Sequence, residues 1–255
     1  MELYHGCQNS FIITEDRYFI EHPKDVPHFC QQYEVDGLIV YIKAPLEMVL
    51  FNADGSLATM CGNGIRCFVK YGIDAGLILE DKVVVKTLAG NRVVQVLKKS
   101  PFFARVNLGT PSFQAKKMDI DISEEEMFGQ SVMLLGQIYP LYAVWTGTDH
   151  VVVLVKNFKS VEAIGPLLGR NKLFKRGINV NFMRIIDSKH IEVHTFERGV
   201  GWTKACGTGS SACVVVGNRL GLLESEVKVQ LLGGELMIEL VDQDVYMSGP
   251  AVKID

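Results

Sequence analysis

The sequence lacks the features that would assign its function to a membrane or a nucleic acid. No apolar run approaches the roughly 20 residues that a bilayer-spanning helix needs. The amino terminus, MELYHGCQNS, does not show the basic-then-apolar pattern of a signal peptide, so the cytoplasm is the expected compartment. Lysine and arginine (26) nearly balance aspartate and glutamate (29), and no basic run is interleaved with aromatics. We therefore expect a folded protein with a small-molecule partner and neither a nucleic-acid nor a membrane partner.

The chain is also poor in the patterns that metal, redox and nucleotide chemistry use. Its six cysteines are too sparse for a disulfide framework and include no C-x-x-C pair. The two histidines of HIEVH (190–194) have no cluster of further ligands around them in the sequence. No G-x-S-x-G elbow is present, which disfavours a serine hydrolase. No P-loop or dinucleotide fingerprint follows a strand, so the sequence shows no nucleotide-binding motif. We expect neither a metal nor an organic cofactor.

β-Structure dominates what the sequence does contain. Two helices are predicted, at 62–76 and 207–221, and each follows a cysteine and ends at a glycine that suits a C-cap. Hydrophobic residues make up 48% of the chain, enough to fill a core. Runs rich in Val, Ile and Phe, typical of strands, include SFIIT, DGLIVYIKA, KVVVKTL, HVVVLV, IEVHTF and ELMIELV.

A long internal repeat organises these elements. Three residues recur at a constant offset of 145 positions, the pairs being Phe51 with Phe196, Cys61 with Cys206, and Gly76 with Gly221. The repeated unit is strand, turn, Cys-Gly-x-Gly, helix, glycine, strand, turn, strand. We therefore predict an α/β (α+β) fold of two pseudo-symmetric domains, each a β-sheet or barrel wrapped around a central helix.

The repeat also suggests domain limits. We expect the first domain at 1–112, with a carboxy-terminal strand at 247–255 returning to it, and the second at 113–246. The active site is expected in the cleft between them. The polar segment SEEEMFGQS (123–131) is interpreted as the start of a short helix or a linker near the boundary.

A cysteine followed by Gly-x-Gly at the start of a helix combines a thiol with an anion site. The amino end of a helix presents backbone N–H groups and stabilises a thiolate or a carboxylate. Either cysteine alone is more typical of packing, because thiols are often buried. A pseudo-twofold axis would place Cys61 and Cys206 on opposite faces of one substrate. One thiolate then removes a proton from a tetrahedral carbon and the opposite thiol returns one to the other face.

The blocks around the two cysteines resemble the diaminopimelate epimerase family, whose signatures are GLGNDF, NADGS…MCGNG, GNPH, NVNF and ERGxGETxACGTG. This sequence has GCQNSF (6–11), NADGSLATMCGNG (52–64), GTDH (147–150), NVNF (179–182) and ERGVGWTKACGTG (197–209). The resemblance covers nearly the whole chain. It implies a diaminopimelate-epimerase-like fold and an isomerase that uses two cysteines and no pyridoxal phosphate.

Carried over position by position, the resemblance implies the following roles. Proton transfer falls to Cys61 and Cys206. The reacting α-carboxylate would be held by Gly62, Asn63, Gly207 and Thr208, and the reacting centre would be flanked by Asn9 and His150. The far end of the substrate would be bound by Asn52, Thr148, Asn179, Glu197 and Arg198, with Glu197 facing an ammonium and Arg198 a carboxylate.

Some of these residues have a structural alternative. Asn52 lies in a sequence typical of a tight turn, and Arg198 is also compatible with a solvated surface charge. Cys67 and Cys213 lie farther into the helices and are expected to be packed rather than catalytic. Trp145 is expected in the core or a lid.

The departures from the family blocks affect recognition of the far end of the substrate. Thr148 replaces an asparagine, Ser10 an aspartate, and Trp202 a glutamate. The leading hypothesis is an epimerase that interconverts LL- and meso-2,6-diaminopimelate for lysine and peptidoglycan-precursor biosynthesis. The alternatives are a racemase for glutamate or aspartate, and a non-catalytic or thiol redox protein of the same fold. A homodimer stays open as the assembly.

Overall fold

The computed structural model describes residues 1–254. The helices in this part of the chain are α1 (Tyr18–Glu21), α2 (Val26–Tyr33), α3 (Gly62–Asp74), α4 (Val161–Gly169) and α5 (Gly207–Arg219). The strands are β1 (Glu2–Gly6), β2 (Asn9–Thr14), β3 (Gly37–Ile42), β4 (Glu47–Asn52), β5 (Leu57–Ala58), β6 (Lys82–Thr87), β7 (Gly90–Lys99), β8 (Phe102–Gly109), β9 (Phe128–Leu134), β10 (Gln137–Trp145), β11 (Asp149–Leu154), β12 (Asn179–Asp187), β13 (His190–Glu197), β14 (Gly201–Thr203), β15 (Glu226–Leu231), β16 (Gly234–Val241), β17 (Asp244–Pro250) and β18 (Val252–Ile254).

The chain divides into two compact units. The first comprises Met1–Asn107 with the chain from Ser248 onward, and the second comprises Leu108–Met247. The segment 123–131, interpreted above as the start of a helix or a linker, lies inside the second unit and leads into β9. The expectation of a helix there is wrong, because β9 takes up its last residues in an antiparallel pairing with β10.

In the first unit, sheet and helix pack around a shared apolar core. Strand β1 pairs with both β2 and β18, and β2 runs parallel to β3 through a connection that contains α2. Strand β4 pairs antiparallel with β3 and β5 and in parallel with β6, which returns as β7. Every residue of β3 is buried, as expected for a strand covered on both faces. Helix α3 packs against β1, β2, β3, β4 and β18.

The second unit repeats this order of pairings. Strand β11 pairs antiparallel with β10 and in parallel with β12, and the β11–β12 connection contains α4. Strand β13 pairs antiparallel with β12 and β14 and in parallel with β15, which returns as β16. Helix α5 packs against β10, β11, β12, β13 and β16. The predicted α/β class with two similar halves is confirmed.

The two central helices begin and end as the sequence predicts. A cysteine with an extended backbone caps each amino end, Cys61 for α3 and Cys206 for α5. Just beyond each carboxyl end, Gly76 (φ +69°) and Gly221 (φ +71°) adopt the left-handed conformation that glycine accommodates without strain. The repeat in the sequence is therefore a repeat of local backbone geometry.

Candidate active site

In the first unit, the Cys61 side chain lies among polar groups at the amino end of α3. Its Sγ accepts the Gly64 N–H at 3.5 Å. Asn9, the first residue of β2, directs Oδ1 at the same sulfur from 3.6 Å. Asn63 fixes that orientation, because its Nδ2 donates to Asn9 Oδ1 at 3.3 Å. Since an amide oxygen only accepts, the contact with Asn9 is a hydrogen bond when Cys61 is a protonated thiol.

A fully buried arginine lies in the first turns of the same helix. The Arg66 guanidinium donates to the Gly62 carbonyl at 3.1 Å, to Asn63 Oδ1 at 2.8 Å and to the Pro250 carbonyl at 3.2 Å. Burial lowers the pKa of Arg66 from its ordinary value, but a guanidinium stays charged at neutral pH. This charge interacts with Cys61, so the thiol at the start of α3 has a permanent cation near it.

In the second unit, Cys206 caps α5 but meets different neighbours. Its Sγ accepts the Gly209 N–H at 3.4 Å and lies 3.5 Å from the Thr208 hydroxyl. Thr208 Oγ1 in turn lies 3.4 Å from Thr148 Oγ1. A Cβ atom at position 209 would come within 2.1 Å of Asn181 Oδ1, so only glycine fits at this turn of the helix. The sulfur therefore faces a line of hydroxyl groups.

His150 orients these hydroxyl groups. It is fully buried, and burial lowers its pKa to about 3, so the imidazole is neutral at physiological pH. Asn181 Nδ2 donates to the Val151 carbonyl at 3.2 Å and faces His150 Nδ1 at 3.0 Å. Because an amide nitrogen donates, Nδ1 is the acceptor and the ring proton is assigned to Nε2. Nε2 then donates to Thr148 Oγ1 at 2.8 Å.

The order of donors and acceptors can be followed from His150 to the Cys206 sulfur. Thr148 accepts from His150, so its own proton points towards Thr208, and the Thr208 proton points towards Cys206 Sγ. Cys206 can therefore accept a hydroxyl hydrogen bond in addition to the backbone N–H that both cysteines accept, which suits a thiolate. Cys61 faces the Asn9 oxygen, which suits a thiol.

Next to His150, Asp149 lies between two arginines. Its Oδ2 is 3.3 Å from Arg176 Nη2 and 3.4 Å from Arg198 Nη1. Burial raises the pKa of the Asp149 carboxyl, and the two arginines oppose that shift. Asn179 joins the backbones here, since its Nδ2 donates to the Asp149 carbonyl at 2.8 Å and its Oδ1 accepts the Arg198 N–H at 2.9 Å. These contacts tie together the starts of β11 and β12 and the residue that follows β13.

A cavity of about 520 Å³ opens beside these charges within the second unit. Arg176, Arg198 and Glu197 all line it, and Glu197 Oε1 accepts the Thr203 hydroxyl at 2.6 Å. The walls therefore offer both a carboxylate and guanidinium groups. Such a mixture can bind a group that carries both signs of charge.

Asn52 contributes to a turn. It is exposed at the end of β4, and its Nδ2 donates to Ser56 Oγ at 2.9 Å, while Ser56 also bonds to Asp54. Its interpretation as a turn residue therefore has contacts to support it, whereas its contact with a substrate stays a prediction.

Two departures from the family blocks have local partners. Ser10 donates to Asp36 through both its backbone N–H (2.7 Å) and its hydroxyl (3.1 Å). Trp202 packs against Phe196, with ring centroids 5.5 Å apart, and leaves no space for a side chain at Gly165. Trp202 is thus a packing residue of the second unit, supporting α4.

Polar residues of these networks that were not singled out from the sequence include Arg66, Asp149, Arg176 and Asn181. Arg66 looks like an exposed helical charge until its neighbours Ile65 and Cys67 are seen to be buried as well. Asp149 and Asn181 stand inside the blocks GTDH and NVNF, and those blocks are the signal that was available for them.

The described residues can also be compared with what a metal site or a membrane-spanning helix requires. Within residues 1–254, no three His, Cys, Asp or Glu side chains come together as metal ligands. Each helix in the same range is too short or too polar to cross a bilayer. All six cysteines are thiols rather than disulfides.

The fold recurs in solved structures of other proteins. A hydroxyproline epimerase from Agrobacterium vitis superimposes with a TM-score of 0.71 over 99% of this chain and 88% of its own, at 11% identity. A PhzF-family phenazine biosynthesis protein from Bacillus anthracis does so with a TM-score of 0.70 over 100% and 96%, at 16% identity. At these identities the likeness shows the fold alone.

Sequence comparison is more specific. The family model "Diaminopimelate epimerase" matches residues 2–114 and 142–254. The diaminopimelate epimerase of Alkaliphilus metalliredigens is 36% identical over 98% of this chain and 93% of its own length. That of Caldanaerobacter subterraneus subsp. tengcongensis is 34% identical over 98% and 95%.

The fold and the two cysteine-capped helices thus define an amino-acid epimerase, an enzyme of the isomerase class. Its substrate is an amino acid. Within that class, the chain belongs to the diaminopimelate epimerase family.

Proposed function

We propose that this enzyme interconverts LL- and meso-2,6-diaminopimelate by proton transfer between Cys61 and Cys206, without pyridoxal phosphate. The observation that carries the proposal is the pair of complementary environments at the two helix starts. Both sulfurs accept a backbone N–H, from Gly209 at Cys206 and from Gly64 at Cys61. They differ in the side chain that they face, because Cys206 Sγ faces the Thr208 hydroxyl, which can donate, and Cys61 Sγ faces the Asn9 oxygen, which only accepts. A two-base epimerisation needs this combination, one thiolate and one thiol.

In the proposed reaction, the Cys206 thiolate removes the Cα proton and the Cys61 thiol supplies a proton to the opposite face. Cys61 then becomes a thiolate, and the buried charge of Arg66 compensates it. In the reverse direction the two cysteines exchange roles. The amino ends of α3 and α5 would bind the α-carboxylate, where negative charge increases in the transition state. The groups proposed for that contact are Gly62, Asn63, Gly207 and Thr208.

The far end of the substrate would lie against the charged residues around the cavity. Arg198 would bind the second carboxylate and Glu197 the second ammonium. The remaining contacts proposed for this end are Asn52, Thr148 and Asn179. In metabolism, the product would supply lysine and peptidoglycan-precursor synthesis.

Deuterium incorporation at Cα tests the proposal directly. The purified enzyme is incubated in D₂O without added pyridoxal phosphate, separately with LL-diaminopimelate, meso-diaminopimelate, L-glutamate and L-aspartate. We expect exchange with both diaminopimelate isomers, accompanied by conversion of one into the other. Absence of exchange with LL-diaminopimelate would overturn the proposal.

The same panel addresses the second candidate, a glutamate or aspartate racemase. Thr148 favours that candidate, because its hydroxyl is engaged with His150 and replaces an amide donor of the family block. Exchange with glutamate or aspartate but not with diaminopimelate would establish it. Exchange with no amino acid would instead favour a binding or redox protein of the same fold.

A further inference from the structure

We infer that Asp149 determines substrate specificity, by matching the charge of the second unit's cavity to an amino acid whose far end carries both an ammonium and a carboxylate. The inference rests on the proposed function and names the residue that would set its selectivity. Asp149 acts through Arg198 and Arg176, and it is a positioning residue rather than a catalytic one.

Asp149 is the carboxylate that the two arginines share; Arg176 also lies 3.7 Å from Asp119, and Arg198 also donates to the Gly177 carbonyl at 3.3 Å. A single oxygen, Oδ2, lies within 3.4 Å of a nitrogen of each guanidinium. The Asp149 side chain is only 9% exposed, whereas those of Arg176 and Arg198 are 54% and 40% exposed. The carboxylate is therefore a buried partner of both arginines, which extend from it to the cavity.

The backbone around Asp149 is fixed as well. Its carbonyl accepts from Asn179 Nδ2, and the Asn179 oxygen accepts the N–H of Arg198. The next residue is His150, whose ring orients the hydroxyls that lead to Cys206. A ligand held by Arg198 is thus tied to the same strand ends that orient the reacting sulfur.

The charges of this group balance. Four cations line the cavity, Arg170, Lys175, Arg176 and Arg198, together with one carboxylate, Glu197. Three further carboxylates pair with those cations: Asp149 with Arg176 and Arg198, Asp119 with Arg176, and Asp121 with Lys175. The far end of diaminopimelate carries one ammonium and one carboxylate and adds no net charge. The far end of glutamate carries a carboxylate alone, and it must share Arg198 with a buried carboxylate of the same sign. In the sequence block GTDH, Asp149 occupies the position at which the family block GNPH has proline, which carries no charge.

Replacing Asp149 by its uncharged isostere tests the inference. Isothermal titration calorimetry gives the affinities of LL-diaminopimelate and L-glutamate for the wild type and for Asp149→Asn. We expect the ratio of the two dissociation constants to shift towards glutamate by at least tenfold, because the variant leaves one arginine charge uncompensated. The matched control is Glu192→Gln, which neutralises a carboxylate paired with Arg184 in the same unit and should leave the ratio unchanged.

A second variant changes the charge in the opposite direction at an exposed position. Arg176→Gln removes one positive charge and should shift the same ratio away from glutamate by about threefold to tenfold, with tighter binding of L-lysine. Asp149→Glu, which restores the charge, should return the ratio towards the wild-type value. An unchanged ratio in Arg176→Gln, or in a folded Asp149→Asn protein, would overturn the inference.

The calorimetric result is independent of turnover. Lack of exchange by the wild type with LL-diaminopimelate would overturn the proposed function, whatever the affinities are. Exchange with diaminopimelate together with an unshifted ratio would overturn only the role of Asp149. In exchange assays, Asp149→Asn should change KM for the two substrates in opposite directions and kcat by less than about threefold, since Asp149 does not touch the reacting carbon.

Discussion

The starts of α3 and α5 share a backbone design and differ in charge. In both, a cysteine caps the helix and accepts the N–H of the glycine three residues on. In both, the side chain five positions after the cysteine donates to the carbonyl of the first helical residue. Arg66 donates to Gly62 at 3.1 Å, and Ser211 donates to Gly207 at 3.0 Å. One helix therefore holds a buried cation where the other holds a neutral hydroxyl.

The difference indicates how a duplicated element can serve two halves of one reaction. In the proposed reaction, Cys61 starts as a thiol and becomes a thiolate, and the buried charge of Arg66 would stabilise that product. Cys206 would start as the thiolate, stabilised by the Gly209 N–H and by the Thr208 hydroxyl, which the neutral His150 orients through Thr148. The local geometry has been retained in both halves, and the electrostatic environments have diverged.

Removing either thiol should have the largest effect. Cys61→Ala and Cys206→Ala should each reduce epimerisation of LL-diaminopimelate by about a thousandfold or more, because each removes one of two required acid–base groups. The matched control is Cys67→Ala, since burial raises the pKa of Cys67 far above its ordinary value and keeps it protonated. Interconversion rates followed by chiral chromatography check this prediction; near-normal turnover in either first variant would contradict the two-base mechanism.

Equivalent positions five residues after each cysteine should differ in energetic importance. Arg66→Met should lower the free energy of unfolding by about 3 kcal/mol, because it leaves buried carbonyl and amide oxygens without their charged donor. Ser211→Ala, at the matching position of α5, should cost only about 1 kcal/mol. Urea denaturation of both variants measures the contrast. Equal losses would mean that the buried charge contributes no more than a hydroxyl.

Acid should lower the folding stability of the protein, because the buried His150 near Cys206 is neutral in the folded state. The pKa of His150 falls from 6.5 to about 3 on folding, so between these values the unfolded chain binds a proton that the folded chain does not. Stability is therefore lost as pH falls below 6.5, by about 2 kcal/mol at pH 5 from this residue. His150→Gln should remove that component of the slope, as measured by urea denaturation from pH 7 to 4. Asn63→Ala, which alters the network at Cys61 without a titrating group, should retain the wild-type slope.

The smallest expected contrast concerns thiol reactivity. The proposed assignment requires the hydrogen bonds at Cys206 to outweigh the charge of Arg66 near Cys61 by about 1.4 kcal/mol in favour of the Cys206 thiolate. With limiting iodoacetamide at pH 7, Cys206 should then be alkylated about tenfold faster than Cys61. Cys206 is the more buried of the two, so exposure alone predicts the reverse order. Peptide mass spectrometry resolves the two sites. Faster alkylation of Cys61 would reverse the assignment of resting thiol and thiolate.

The elements that repeat locally were predictable from the sequence. The Val- and Ile-rich runs formed strands, and the cysteine and glycine that flank each central helix fixed its ends to within a few residues. Helices α1, α2 and α4 were missed because they are short, with four, eight and nine residues. Helix α4 also contains Pro166 in its interior, where proline usually argues against a helix.

The charge network was harder to predict, because its members are far apart in the chain. Asp149, Arg176 and Arg198 come from three segments that only the packing of β11, β12 and β13 brings together. For Arg66 the unknown is burial rather than distance along the chain. Its position in the helix is clear from the sequence, but a charged residue is interpreted as solvated unless its burial is known.

The pairing of β1 with β18 has a consequence for the order of events at the ribosome. All of Leu108–Met247 is one continuous stretch, so the second unit is encoded in full before Ser248, where the chain returns to the first unit. The first unit still lacks the neighbour of its opening strand, and Arg66 lacks the Pro250 carbonyl, until the last residues emerge. The half whose sequence comes first is therefore completed by the segment that comes last, and a released chain ending at residue 247 would hold one complete unit and one incomplete one.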